Sequence, residues 1–456
     1  MTRRIPARHT IRFGGAVLAA LIALITVALA DGSPARAEGA GIGWEGSIAA
    51  KKGKARTIAE LAAMYDSAPC AECHKEVHDQ WRKSSHFIGL LGEGRTADGL
   101  LAYIRDGLMT WRYSGVKGAG DVRVEHLMAC AKCHLPQLAD AEDAVAREIV
   151  AALVDRQEAL DKKDQAAADK ASDKLRSLNV GCTICHNRNA LIHKWADGYP
   201  GASEIYGSKD GAHPGAFTTL KKSPVIGESI LCGQCHGLGP NLDLANPNQC
   251  TTLYGSYIYA YRAHGGKESC QDCHMRRNKV GHETKPLTDP EMIRQTLDVK
   301  TQTHGFFWRT NREDVPRVIV DVTITNLTGH SIPDSISANH RLVLTVAAKN
   351  DEGELFKERR VYMQVPQRLG RGGKMGRTAF EKTGILEDTT LSPYNPVLEK
   401  FDFTLEAGSS GKGKSGKMLS ELEVSVTLRQ LSADDSPDTG GILLYETNRD
   451  VTIEER

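Results

Sequence analysis

The stretch at residues 67–86, "SAPCAECHKEVHDQWRKSSH", places Cys70, Cys73 and His74 within five residues and a further histidine, His86, twelve positions on. Two thiols separated by two residues and followed at once by an imidazole form a compact set of soft and borderline ligands. What His86 is for decides what such a set can do, because a metal held by two protein ligands and one held by a single ligand differ in chemistry.

The same pattern returns four times. "CAKCH" begins at Cys130, "CTICH" at Cys182, "CGQCH" at Cys232 and "CQDCH" at Cys270, so ten of the 11 cysteines, Cys70, Cys73, Cys130, Cys133, Cys182, Cys185, Cys232, Cys235, Cys270 and Cys273, fall in five pairs. Each pair is followed by histidine: His74, His134, His186, His236 and His274. With 16 His in 456 residues, five out of five is not chance. Structural zinc also uses C-x-x-C, but it groups the pairs in fours of ligands and does not need the trailing His. An odd number of pairs, always with that His, predicts five covalently attached haems of the c type, in which the thiols join the porphyrin edge and the imidazole lies under the iron. Cys250 is left over and is expected to be a buried free thiol.

An apolar run from position 14 to 30 follows Arg3, Arg4, Arg8 and Arg12 and precedes Ala35-Arg36-Ala37. It predicts a secretory signal peptide cut after residue 37, with an uncleaved membrane anchor as the competing reading. Removing residues 1–37, with five Arg and one Asp, leaves 53 basic and 56 acidic residues. That balance gives no footing for a nucleic-acid partner. Thioether attachment follows export, so the expected location is periplasmic or extracellular.

The fold class expected is multidomain α + β: a mainly α-helical, loop-rich multihaem domain followed by an antiparallel β-sandwich. Residues 38–66 read as a lead and a first helix, and 67–314 as the pentahaem domain. Within it, about 137–180 is rich in Ala, Glu, Lys and Asp at helical spacing, which predicts a helical hairpin broken near 162–164. From 315 to 456, "RVIVDVTITN", "RLVLTVAAK" and "LEVSVTLRQL" alternate apolar and polar residues as half-buried strands do. The run "AGSSGKGKSGK" at 407–417 reads as a flexible loop.

With His9 in the segment expected to be removed, ten histidines remain to face the five irons from the other side. His86, His126, His193, His213 and His330 are the first candidates; His264, His282 and His304 are weaker ones. His78 lies one turn after His74, on the wrong side to reach the same iron. His340 starts a strand and reads as structural.

These residues resemble the multihaem cytochromes c related in haem arrangement to cytochrome c nitrite reductase and hydroxylamine oxidoreductase. "CAECHKEVHDQWRKSSH" resembles the opening motif, "HGGKESCQDCHM" an H…S-C-x-x-C-H-M motif, and "TNLTGHSIPD" the T-G-H-x-x-P loop of members with a C-terminal β-domain. The resemblance implies that His86 and His330 are distal ligands and that the haems stack in close pairs as an electron wire. No C-x-x-C-K is present, the usual catalytic motif of such nitrite reductases. The expected function is therefore electron transfer between redox protein partners, such as a membrane quinol oxidase and a terminal reductase. Turnover of a small nitrogen or sulfur compound at one open haem is the alternative. Assembly into an oligomer or a larger conductive complex is a third reading.

Overall fold

The computed structural model describes residues 53–87, 94–192, 199–237, 253–284, 292, 295–309, 314–333, 340–350, 353–368, 382–405, 421–432 and 435–454. The expected signal peptide or anchor, His193, Cys250 and the loop at 407–417 lie outside the described residues. No helix among the described residues is long and apolar enough to cross a membrane.

The N-terminal part is built of helices and turns. Helices α1 (Ile58–Met64), α2 (Lys75–Trp81), α3 (Gly94–Ala102) and α4 (Val124–His134) lead to the pair α5 (Asp143–Asp161) and α6 (Gln165–Arg176). The break between α5 and α6 has a local cause. Lys163 adopts φ +59°, its N–H reaches the Leu160 carbonyl, and the Asp164 N–H reaches that of Ala159, both at 2.9 Å. This is a left-handed helix stop, and Asp164 then caps α6 by accepting from the Ala167 N–H at 3.0 Å. Val145, Ile149 and Leu153, four residues apart on α5, bury one face against Leu175 of α6, Leu61 of α1 and Leu127 of α4. That core holds the segments carrying the first three C-x-x-C-H motifs.

A small three-stranded sheet follows, β1 (Glu204–Gly207), β2 (Gly211–Ala212) and β3 (Thr219–Lys222), in the order β1-β3-β2. The C-terminal part is one eight-stranded sheet: β4 (Leu297–Arg309), β5 (Asp314–Asn326), β6 (Arg341–Asn350), β7 (Gly353–Arg368), β8 (Lys382–Asp388), β9 (Val397–Thr404), β10 (Glu421–Leu431) and β11 (Ile442–Glu454). Its order is β8-β7-β6-β10-β11-β4-β5-β9. The alternating residues Val318, Val320, Val322, Ile324, Leu342, Leu344, Val424 and Val426 all point inward and are buried.

Two features differ from the pattern reading. The sheet begins at Leu297, before the expected boundary at 315, because 297–309 pairs residue by residue with β5 as a hairpin. A period-two apolar signal is weak in "LDVKTQTHGFFWR", so only the partner strand reveals it. The expected two-sheet sandwich is instead a single curled ladder, since β11 bends from β10 across to β4, where Ile453 pairs with Gly305. A Cβ on Gly305 would stand 2.9 Å from the Thr452 carbonyl oxygen, so this close approach requires glycine. The curl brings distant strands together: Phe356 of β7 and Phe403 of β9 stack with ring centres 3.7 Å apart.

Candidate cofactor site

Each C-x-x-C-H motif sits on a tight helical turn, which brings both thiols and the imidazole to one side. The first occupies the turn Ala68–Glu72 and ends where His74 begins α2. The second closes α4, the third and fifth form the π-helical turns Ile184–Arg188 and Asp272–Arg276, and the fourth starts in the helical turn Ile230–Gly233.

Four of the five motif histidines face another histidine. Ring centres lie 6.1 Å apart for His74 and His213, 6.2 Å for His86 and His236, 6.3 Å for His186 and His282, and 6.4 Å for His274 and His330. A metal–nitrogen bond of about 2 Å on each side of one ion places two imidazole centres roughly 6 Å apart. Four pairs within 0.3 Å of one another meet that requirement, whereas directly packed rings would stand closer or vary more. Three of these rings are oriented by the backbone. His186 Nδ1 lies 2.8 Å from the Tyr206 carbonyl, His213 Nδ1 2.9 Å from that of Phe217, and His330 Nδ1 3.0 Å from that of Ser331. A proton kept on Nδ1 leaves the Nε2 lone pair for a metal.

Electrostatics favour the same state. Burial holds the imidazoles of His86, His134, His186, His282 and His330 below their ordinary value. His236 is pushed down to about 4, by burial first and then by the rings of His86, His134, His274 and His330 around it. Neutral imidazole is the ligating form.

The motifs touch one another in a definite order. The thiol of Cys70 neighbours that of Cys182, that of Cys133 neighbours Cys235, and that of Cys232 neighbours Cys270. Asn189 Nδ2 lies 3.9 Å from Cys235 Sγ, and Gln234 Nε2 donates to the Asn189 carbonyl at 2.8 Å. The first motif thus meets the third, the third the fourth, and the fourth both the second and the fifth.

Two buried serines lock these contacts. Ser67 Oγ accepts from the Cys182 N–H at 3.0 Å, and Ser229 Oγ accepts from the Cys270 N–H at 2.9 Å. Each stands three residues before the first cysteine of its own motif, so the pattern S-x-x-C-x-x-C-H marks both in the sequence. The β-sheet reaches the site through the turn after β5. Asn326 Nδ2 and Thr328 Oγ1 both donate to the His330 carbonyl, at 2.8 and 2.9 Å, and the Ser331 N–H donates to Ser256 Oγ at 3.0 Å.

Not every expected histidine arrives. His126 caps α4: its Nδ1 accepts from the Arg123 N–H at 3.0 Å. Its ring is held at the helix start and takes part in none of the four facing pairs, contrary to the expectation drawn from its closeness to Cys130. His264 is exposed, with Nδ1 2.5 Å from the Ala260 carbonyl. His304 is exposed in the middle of β4, opposite Ile319. His78 packs beside Trp81, 5.3 Å between ring centres. His282 is found facing His186, although its sequence context marked it as weaker. Among the described residues no histidine ring pairs with His134.

Buried polar atoms without a partner cluster here as well. Of the 12 such side-chain atoms among the described residues, six belong to His134, Gln137, Thr183, Arg188 and Asn189 around the second and third motifs. Orphaned polar groups beside paired thiols and facing imidazoles fit a large prosthetic group with polar substituents.

No family model matches the chain. A 29-residue segment is 69% identical to "Cytochrome c3, 50 kDa" of Desulfuromonas acetoxidans, covering 6% of this chain and 97% of that sequence. The fold is similar to that of a penta-heme cytochrome c552 from Thermochromatium tepidum, with a TM-score of 0.50 and 16% identity over 87% of this chain and 99% of that one. Five C-x-x-C-H motifs, four facing imidazole pairs and these relatives together place the chain in the family of multihaem c-type cytochromes.

Proposed function

We propose that this is an exported pentahaem cytochrome that passes electrons between redox protein partners. Each motif's cysteines would hold one haem c, with His74, His134, His186, His236 and His274 as proximal ligands. His213, His282, His86 and His330 would be the distal ligands of the first, third, fourth and fifth haems, and His193 is the remaining candidate for the second. When bound, each haem supplies a one-electron couple; the chain supplies spacing, orientation and ligand field. The single observation carrying this reading is the set of four imidazole pairs at 6.1–6.4 Å. Bis-histidine ligation leaves no place for a substrate, which favours conduction over catalysis.

The sulfur contacts support a connected route from the first motif to the fifth, branching at the fourth. A donor such as a membrane quinol oxidase and an acceptor such as a terminal reductase fit such a wire. The resemblance to the nitrite reductase and hydroxylamine oxidoreductase group bears on the wire alone, since C-x-x-C-K is absent. A second reading, favoured by the lack of a histidine facing His134 among the described residues, is an open second haem acting on a small nitrogen or sulfur compound.

The test is a pair of measurements on the exported protein. An alkaline pyridine assay should count five haems c per chain, and the reduced spectrum should be low-spin and unchanged by carbon monoxide. Binding of carbon monoxide by one haem would replace conduction with the second reading; fewer than five haems would remove the proposal.

A further inference from the structure

Arg188 is 1% exposed and lies two residues after His186, in the same π-helical turn. Its Nη1 donates to Asp140 Oδ2 at 2.7 Å and to the Tyr65 hydroxyl oxygen at 3.1 Å, while Tyr65 in turn donates to Asp140. Asp140 is wholly buried. The opposite edge of the guanidinium, Nε and Nη2, is buried and has no partner.

That edge is not short of nearby polar residues. Gln137 Oε1 and Asn189 Oδ1 are buried acceptors from the same two segments, and both lack donors, so neither meets Arg188. Asp140 and Tyr65 are taken up on the Nη1 side. A buried cation with two parallel N–H donors left open loses hydration at that edge and gains nothing in return. Nε and Nη2 lie in one plane at the separation of two carboxylate oxygens, the geometry that makes Arg a two-pronged binder of planar anions.

We propose that the Nε/Nη2 edge of Arg188 binds a propionate carboxylate of a haem. The inference rests on the pentahaem reading, which brings carboxylates into the interior beside His186. Arg188 then bridges two carboxylates, Asp140 on one edge and the propionate on the other. Its fixed positive charge holds that haem's potential above the value it would have without it, and Asp140 with Tyr65 positions the guanidinium.

Arg188→Gln and Arg188→Lys in the full exported chain test this. Haem content is counted first: a wild type without five haems fails the pentahaem reading, not this one. In Arg188→Gln with five haems, one of five midpoint potentials should fall, and the propionate-bending band of the resonance Raman spectrum should lose one component. Arg188→Lys, which keeps charge but not the two-pronged edge, should retain most of the potential and still alter the band. Unchanged potentials and an unchanged band in Arg188→Gln overturn the proposal. If that variant does not load haem, an experimental structure of the haem-loaded wild type decides: a propionate oxygen on Nε or Nη2 supports it, and water or main chain there overturns it.

Discussion

The imidazoles of His86 and His236 face each other at 6.2 Å with their planes 77° apart, whereas the other three facing pairs are within 28° of parallel. The angle between axial ligand planes sets how far the iron orbitals that accept imidazole π-density are split, one of the levers a protein has on a haem. One ferric haem should therefore give a strongly anisotropic low-spin electron paramagnetic resonance signal, distinct from three rhombic ones. His86→Ala should abolish that signal alone and turn one haem high-spin. Loss of a rhombic signal instead would show that His86 serves another iron.

His330 is presented by the β-sheet and faces His274 of the fifth motif at 6.4 Å. A shared metal would make this an iron bond between the two parts of the chain. His330→Ala should convert one haem to high-spin and destabilise the protein by about 1–3 kcal/mol. Limited proteolysis should then release the β-region more readily. A fully low-spin spectrum in this variant would remove His330 from the ligand set.

Acid should weaken the protein. Histidines such as His86, His186 and His330 are neutral in the fold because burial depresses them, and His236 is lowered to about 4. In the unfolded chain they protonate near their ordinary value of about 6.5. Between those values the unfolded state binds more protons, so stability is fully present above pH 6.5 and declines as pH falls toward 4. Iron ligation of these rings would extend the decline to lower pH. Denaturant midpoints at pH 7.5, 5.5 and 4.5 should fall in that order; a rise on acidification would contradict this assignment.

Ser67→Ala leaves the Cys182 N–H without its acceptor, in a place where Ser67 is only 4% exposed. The expected cost is about 1–2 kcal/mol. Because the same contact holds the first and third motifs together, electron exchange between those two haems should slow, with haem content unchanged. Ser229→Ala should act likewise on the fourth and fifth. Equal stability and unchanged exchange in both variants would reduce these serines to filler.

Lys163 occupies the left-handed region at φ +59°, at the stop between α5 and α6. Glycine carries no Cβ penalty there, so Lys163→Gly should stabilise the protein by about 0.5–1 kcal/mol, read as a higher thermal midpoint. A loss of stability would place the value of Lys163 in its side chain.

How much of this was legible from sequence varies with the range of the interaction. The motif residues are local: two thiols and an imidazole within five positions point to their chemistry without a fold. The hairpin of α5 and α6 is local too, since a left-handed stop and an Asp cap lie within 162–164. Strand β4 escaped because its inward residues are few and its identity depends on pairing with β5. The expected sandwich gives way to one curled sheet at β11, which pairs with both β10 and β4 and meets β4 at glycine 305, a contact between strands far apart in the chain.

The chain's primary structure carries five C-x-x-C-H motifs, and with them the expectation of five attached haems, because each motif is complete within a single turn. Which histidine faces which is set by packing between segments far apart in the chain. His86 meets His236 across 150 residues, His282 reaches His186 despite an unremarkable context, and His126, close to Cys130 in the chain, is spent on a helix cap. A second imidazole facing a motif's own would have to come from outside that motif's turn, so packing rather than spacing selects it.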